Sequence, residues 1–560
     1  MGKTRFGSVI VASALFAFGC GASSGGTGTG GSPGSGGTTS TGGTTGTGGN
    51  ATGGTTGTGG STGTGGSTGG IGGHGTGGTT ATGGTTATGG TGPGGTTGTG
   101  GSATGGVGGA SGTVTVQLAQ TEQLIQGFGI NDNWGAQFSS SQADALFTTT
   151  GTGIGLSILR TGMSDSGSSY NSFEASQISM VKSKAGSNAK IIGSVWSPPA
   201  SCKTNNNVND GGHLMSSCYT SWSTTIANWA SSNGLYAMSI GNEPDFASCG
   251  SADPCNGNYP TTLATATEMV AWVKAAKATF MTKAPNVKII APEASEWLHT
   301  WSNVSAGPDV GGKESSDPFK CGCYPDKNTT SCSSTCTSGG GYDYGHYLAK
   351  DTAAWSAFDI LGVHQYDSQV AMPWPADVNG GKPNKEVWQT EMSGVKWWPE
   401  QGPSSDINNG VAVAGWIHSA LVDGQASAWL WWWYQASGTD DNEGLYLKSG
   451  TDTKRHYTLG NYSKFVRPGY NRVDITGTVP SGVLLSAFKG SDGTVVVVAI
   501  NKSTGSVTVP ISIAGGTPTS CTPNVTSSAD NLAAKTAVAV TGGSFSAVLA
   551  SATVTSFVCK

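Results

Sequence analysis

The chain is poor in charge and has no basic stretch. Lys and Arg number 28 among 560 residues against 33 Asp and Glu, and neither sign is clustered. That distribution lacks the electrostatic footprint of a nucleic-acid-binding protein, so no nucleic-acid partner is expected. A nucleotide loop is missing too. The segment "QGFGIND" carries two Gly but no GxGxxG, which argues against a dinucleotide fold. The one early apolar run, "VIVASALFAF", is too short to span a bilayer. What the chain has in excess is Gly, with 93 residues, and Trp, with 17. The glycines are concentrated early. The tryptophans are spread through the remainder, where they serve either a Trp-rich core or an aromatic-lined groove.

The N-terminus reads as an address. Lys3 and Arg5 precede the apolar run, which ends at Gly19-Cys20. A basic start and a short hydrophobic stretch make a secretory signal. Ending on "AFGC", residues 1–20 resemble a bacterial lipoprotein signal, which implies lipidation of Cys20 and an exported, membrane-anchored or cell-surface protein. Eleven Cys are present, so ten remain beyond Cys20, and an even number in an exported chain favours disulfides. The pairs Cys202–Cys218, Cys249–Cys255 and Cys521–Cys559 would each close a loop. The cluster "CGCYPDKNTTSCSSTC" has enough thiolates for zinc, but its spacing is not that of paired CxxC motifs.

Residues 21–112 repeat "GGTTGTGG" and "GGTTATGG". Such sequence has too little apolar surface to offset the entropy of ordering, and predicts a disordered, flexible tether. The folded part is expected from Thr113. "VTVQL" alternates as a half-buried strand does, and it is a candidate to join a sheet formed by the far end of the chain.

Eight short apolar runs follow, beginning with "LIQGFGI" and ending with "ASAWLWWWYQ", with helical stretches such as "TATEMVAWVKAAKATFMTK" between most of them. Buried strands alternating with helices predict an α/β fold, a closed (β/α)8 TIM barrel over residues 113–464. From 465 to 560 the pattern changes to strands joined by Gly- and Asn-rich turns, including "GTVVVVAINKS" and "KTAVAVTGG", which predicts a small β-sandwich.

In a barrel of this kind, functional groups stand at the C-terminal ends of the strands. The third run ends at Trp196, the fourth at Asn242-Glu243-Pro244, the sixth at His364-Gln365-Tyr366, the seventh at Glu391 and the eighth at Trp432-Trp433. Two carboxylates in an aromatic surround are the equipment of glycoside hydrolysis: one protonates the leaving oxygen, the other attacks the sugar or activates water.

The motifs "GFGINDNW", "LSILRTGM", "SVWSPPASCKTN", "MSIGNEPDF", "DILGVHQYDSQV", "VWQTEMSG", "WLWWWYQ" and "NYSKFVRPGYNRVDITG" together resemble glycoside hydrolase family 30, and most of all its bacterial endo-xylanase (glucuronoxylanase) branch. The resemblance implies a retaining hydrolase of β-1,4-xylosidic bonds. It implies that Glu243 is the acid/base and Glu391 the nucleophile. It also implies that Asn242 meets the sugar. From their places at the strand ends, Trp196, Tyr366, Trp433 and His364 are further substrate-facing candidates, and Arg160 in "SILRTG" is a candidate partner of the carboxylates. No metal and no cofactor are expected. The partner is xylan or a xylo-oligosaccharide, and a monomer is expected.

One departure bears on substrate. The glucuronoxylanase branch has a pair of arginines just after its "WWY" segment, which implies recognition of a glucuronic acid branch. Here Gln435 and Ala436 occupy those places, with Asp440, Asp441 and Glu443 nearby. A bidentate contact to a carboxylate needs Arg, so strict dependence on glucuronic acid branches is not expected. The alternatives are another activity of the same family (β-1,6-glucanase, β-1,6-galactanase or β-glucosidase) or a non-catalytic carbohydrate-binding surface lipoprotein.

Overall fold

The structure is a computed structural model. It describes residues 113–209, 211–246, 260–301, 343–366, 371–394, 406–435 and 443–560. The signal, the tether, Cys20, Cys249, Cys255, the four-Cys cluster and residues 436, 440 and 441 lie outside the described residues. No helix among the described residues is long and apolar enough to cross a membrane.

Strand β1 spans Val114–Leu124 and is followed by eight barrel strands: β2 (Gly127–Asn131), β3 (Ile158–Met163), β4 (Lys190–Val195), β5 (Ala237–Ser239), β6 (Lys288–Ala294), β7 (Ile360–His364), β8 (Glu386–Glu391) and β9 (Ala428–Gln435). Consecutive strands pair in parallel. β9 pairs with both β8 and β2, which closes the barrel. These are the eight apolar runs of the sequence. Their interior positions Ile158, Ile192, Ala237, Ile290, Ile360, Trp388, Ala428 and Leu430 pack into one fully buried cluster. Since side chains alternate across a strand, Arg160 and Ser194, two residues on from Ile158 and Ile192, also point inward, nearer the C-terminal mouth.

The helices cover the outside. The chief ones are α1 (Ser140–Phe147), α2 (Glu174–Ala185), α3 (Tyr219–Ser232) and α4 (Ala266–Lys283), then the short α5 (Trp297–Thr300), α6 (Tyr344–Lys350) and α7 (Thr352–Trp355). α8 (Ile407–Val422) and α9 (Lys454–Ser463) complete the set. α4 starts at a capping box, in which Thr265 and Glu268 each bond the other's backbone N–H, satisfying two orphan donors at once. It buries Met269, Trp272, Val273, Ala276 and Phe280, the face its spacing predicts. α1 and α9 were not evident in the sequence pattern. Both are short, and α9 buries more polar residues than apolar ones.

After the three-residue β10 (Gly444–Tyr446), the remaining strands form the second sheet system: β11 (Asn471–Thr476), β12 (Val483–Lys489), β13 (Val495–Asn501), β14 (Val507–Ala514), β15 (Ser520–Thr526), the two-residue β16 (Ala533–Ala534) and β17 (Val538–Ala539), β18 (Ser544–Leu549) and β19 (Thr553–Cys559). β1 lies between β11, to which it is antiparallel, and β14, to which it is parallel. "KTAVAVTGG", expected as a strand, supplies only β17, because most of its side chains stay exposed. The Cys521–Cys559 disulfide joins directly opposed residues of β15 and β19, and Cys202–Cys218 closes a loop after β4. Barrel and sandwich meet through α8 and α9. Asn461 on α9 donates to the Asn524 carbonyl at 2.9 Å and to Ser556 Oγ at 3.1 Å, a buried polar tie between the two.

Candidate active site

The barrel mouth collects its polar groups through irregular backbone. Register shifts interrupt the β6–β7 pairing between Pro292 and Ala294, and the β7–β8 pairing just before Glu391. Glu293 is therefore an extra residue in its strand, with φ 63°, and Glu243 just past β5 has φ 45°. Left-handed backbone at a bulky L-residue costs about 1–3 kcal/mol and persists only where the surroundings impose it. Here it re-aims carboxylates that a regular strand would send elsewhere.

One carboxylate oxygen of Glu243, one of Glu391 and a ring nitrogen of His364 all lie within 4.8 Å of one another. Arg160, fully buried, donates from Nη1 to Glu391 Oε2 at 2.6 Å and from Nη2 to Asn242 Oδ1 at 2.5 Å and Glu293 Oε2 at 3.2 Å. Ser194 donates to the same Glu293 oxygen at 2.6 Å. Tyr366 donates its hydroxyl to Glu391 Oε1 at 3.0 Å, and His364 Nδ1 is 3.0 Å from Glu243 Oε1.

These contacts set the charges. Burial pushes Glu391 up, and Glu243 adds to that; His364, Arg160 and the Tyr366 hydroxyl oppose it, leaving a net rise above the usual carboxylate range. Burial also acts on Glu293, but Arg160 and His364 together with Ser194 outweigh it, so Glu293 is held below its usual value. Burial dominates at His364 and lowers its pKa against the pull of Glu391 and Glu293, so the ring is neutral near pH 7. Burial disfavours the charged form of Arg160, yet Glu293 and Glu391 more than offset it and raise its pKa.

By spacing, the Glu243–His364–Glu391 trio would also suit a metal ion. The guanidinium already bonded to Glu391 supplies positive charge at that spot, and a second cation beside it would be repelled. The arrangement favours two carboxylates that share protons.

The site candidates among the described residues each have a definite place. Asn242 is buried, and because a guanidinium only donates, it is the amide oxygen that Arg160 holds. Trp196 is 2% exposed, beneath Trp134 and Trp432 (4.7 and 6.3 Å between ring centroids) and 4.9 Å from the Arg160 guanidinium carbon. It is a floor to the mouth more than an open platform. Trp433 donates Nε1–H to the Asn133 carbonyl at 2.7 Å and stacks on Trp432. His364 has no exposed surface and bears on the mouth only through the carboxylates. Gln435 donates to the carbonyls of Leu447 and Lys448, at 3.2 and 3.0 Å.

Sequence reasoning missed Glu293, Trp134 and Tyr170, and named Trp432 only as the end of the eighth run. Glu293 was signalled by "VKIIAPE", a third carboxylate at a strand end. Trp134 is the open face of the aromatic group. It is 36% exposed, at φ 54°, and 4.9 Å from Tyr170 between ring centroids.

Residues 471–553 match the glycosyl hydrolase family 30 beta sandwich domain. That match lies wholly within the second sheet system. The chain is 28% identical to glucuronoxylanase XynC of Bacillus subtilis (strain 168) over 466 residues, which is 80% of this chain and 92% of that protein. Among solved structures it resembles the family 30 subfamily 8 xylanase Xyn30A of Clostridium acetobutylicum, with TM-score 0.62, 26% identity, and coverage of 80% of this chain and 99% of that one. It likewise resembles a family 30 endoxylanase of Clostridium papyrosolvens C71, with TM-score 0.60, 26% identity, and coverage of 80% and 100%. The family 30 resemblance thus spans barrel and sandwich together.

Proposed function

We propose that the protein is a retaining glycoside hydrolase that cleaves β-1,4-xylosidic bonds in xylan by double displacement. The observation that carries this reading is the approach of Glu243 and Glu391, with carboxylate oxygens within 4.8 Å. Inverting enzymes keep their carboxyls roughly 6.5–9.5 Å apart to admit water, whereas retaining ones hold them about 5 Å apart.

Glu391, as the carboxylate, attacks the anomeric carbon while Glu243, as the acid, gives its proton to the departing glycosidic oxygen. The products are a glycosyl ester on Glu391 and a shortened chain. The Glu391 charge is then gone, so Glu243 is free to ionise. Glu243 next takes a proton from water, the water oxygen attacks the anomeric carbon, and Glu391 departs as a carboxylate. Arg160 and Tyr366 hold the two Glu391 oxygens in place for attack and for departure. The neutral His364 ring donates from Nδ1 to Glu243 Oε1, leaving the other oxygen to handle the proton. Asn242, its oxygen held by Arg160, offers its amide N–H to a sugar hydroxyl.

The enzyme acts without strict need for glucuronic acid branches. Where the glucuronoxylanase branch of the resemblance has arginine, Gln435 is turned to two backbone carbonyls and offers no cation. We further assign residues 1–20 as a lipoprotein signal ending at Cys20 and residues 21–112 as its tether, so the enzyme works outside the cytoplasm on a polymer too large to import. The test is product analysis on linear xylan, glucuronoxylan, pustulan and galactan. Xylo-oligosaccharides from both xylans support the reading. Release from pustulan or galactan alone, or from none, overturns it.

A further inference from the structure

The turn that carries Glu243 needs an outside restraint. Its φ of 45° is a left-handed backbone that a glutamate keeps only where the surroundings impose it. Backbone bonds supply part of the restraint. Glu243 N–H donates to the Glu293 carbonyl at 3.0 Å, Phe246 N–H to the Glu243 carbonyl at 2.9 Å, and Ala264 N–H to the Pro244 carbonyl at 2.9 Å. Asp245, two residues past Glu243, adds a side-chain restraint.

Asp245 is buried, and three donors converge on its carboxylate. Ser295 N–H is 3.0 Å from each oxygen, Ser295 Oγ donates to Oδ2 at 2.6 Å, and His299 Nδ1 is 2.6 Å from Oδ2. His299 Nε2 is in turn 3.1 Å from Glu296 Oε1. A carboxylate only accepts, so two ionised partners need a hydrogen on both ring nitrogens, and the ring between them is then an imidazolium. The donors themselves are anchored. Ser295 follows the last residue of β6, and His299 lies on α5. The Ser295 carbonyl accepts from Tyr366 N–H at 3.3 Å, and the Tyr366 hydroxyl holds Glu391. The segment after β6 is thus seated against the residue that holds the nucleophile, and Asp245 ties the Glu243 turn to that segment.

We propose that Asp245 is a positioning residue for Glu243: by clamping the turn to Ser295 and His299, it sets the aim of the carboxyl that protonates the departing glycosidic oxygen. The proposal rests on the reading of Glu243 as the acid/base. The Asp245 side chain has no exposed surface, so it acts through Glu243 and not on substrate. Without the clamp, Glu243 can relax toward an ordinary φ, and its carboxyl turns with the backbone. A displacement of about 1 Å in a reacting group can cost a factor of about 10². Glu391 keeps its bonds to Arg160 and Tyr366 meanwhile, so proton delivery fails before attack does.

The test compares kcat/KM on xylan, whose leaving oxygen needs a proton, with kcat/KM on a dinitrophenyl xylobioside, whose phenolate leaves without one. Both values report the steps up to the glycosyl-enzyme. Asp245→Asn keeps the shape but exchanges one acceptor oxygen for a donor, so it cannot meet all three groups. It should lose a factor of about 10² on xylan and far less on the activated substrate. Ser295→Ala removes one hydroxyl and keeps every backbone bond. It should shift the ratio of the two substrates in the same direction by a smaller factor, and it decides alone if Asp245→Asn does not fold. Equal losses on both substrates would make Asp245 a packing residue and overturn the proposal, as would an unchanged ratio with no loss. A wild type inert on both substrates would overturn the acid/base reading and the clamp together, whereas an active wild type whose variants keep the ratio overturns the clamp alone.

Discussion

Arg160 Nη1 and Glu391 Oε2 are 2.6 Å apart, and the same guanidinium holds Asn242 and Glu293. One cation thus fixes an anion at the end of β8, an amide beyond β5 and a second anion on β6. Its own charge is balanced by two carboxylates, Glu293 as well as Glu391. That leaves Glu391 oriented without being fully neutralised.

Arg160→Gln removes the contact that favours ionised Glu391. Its pKa then rises further, and activity that needs the carboxylate is lost at a higher pH on acidification. The acid limb of the kcat/KM profile should move up by about one pH unit, equivalent to about 1.4 kcal/mol. A limb that stays in place would contradict the assignment.

The same substitution strands Glu293. Removing one partner of a buried ion pair costs about 3–5 kcal/mol, so urea unfolding of Arg160→Gln should show a loss of that order. Adding Glu293→Gln should recover part of it. Glu293 has a lowered folded pKa, so the stability it contributes is present above its unfolded pKa and disappears as pH falls through the folded one. In Glu293→Gln that part of the acid dependence should be missing.

Glu243→Gln should lower kcat on xylan by about 10²–10⁴, the usual worth of a general acid. With an aryl xyloside whose leaving group needs no proton, formation of the glycosyl-enzyme should survive, and a burst of phenol should precede slow turnover. Glu391→Gln should show no burst. A Glu391 variant that still bursts would reverse the two roles.

Trp134→Ala should raise KM about 5–30-fold, corresponding to about 1–2 kcal/mol of lost stacking, with kcat and Tm nearly unchanged. Its partial exposure makes a stability role small. A large fall in Tm with unchanged KM would make it a packing residue.

Linear xylan and glucuronoxylan should give kcat/KM values within about threefold of each other. A charge-assisted contact to a glucuronic acid carboxylate would contribute roughly 1.5–3 kcal/mol, or a factor of ten or more. A preference of that size for the branched polymer would require another cation to replace the missing arginines.

Much of this architecture was legible beforehand. Strands buried on both faces read as apolar runs, and most of the eight did, β8 ("EVWQTE") being the weakest. Glu243 and Glu391 stood out because each ends such a run in a polar motif. Glu293 also ends an apolar run, but its aim depends on an extra residue in β6 that no apolar pattern marks. Trp134 was hidden for a related reason: a left-handed turn sets its direction, and β-periodicity is silent about turns. Trp196 looked like an open sugar platform only because the rings lying over it come from "NDNW" and "WWW", far away in sequence. Gln435 was read from what it replaces, and its backbone contacts became visible only in three dimensions.

The seat of β1 has a consequence for how the chain is made. Gln117 on this strand donates to Thr476 Oγ1 across a separation of 359 residues. Synthesis runs from the N-terminus, so β1 leaves the ribosome long before β11 or β14 exists. Through that interval it is an unpaired, β-prone edge, the kind of segment that seeks other chains. Most of its outward side chains, Gln117, Gln120, Thr121 and Glu122 among them, are polar or charged and keep that edge soluble while it waits. A truncation that removes the last hundred residues would take away every partner of β1, and aggregation of such a fragment would begin at the start of the folded chain rather than at its cut end.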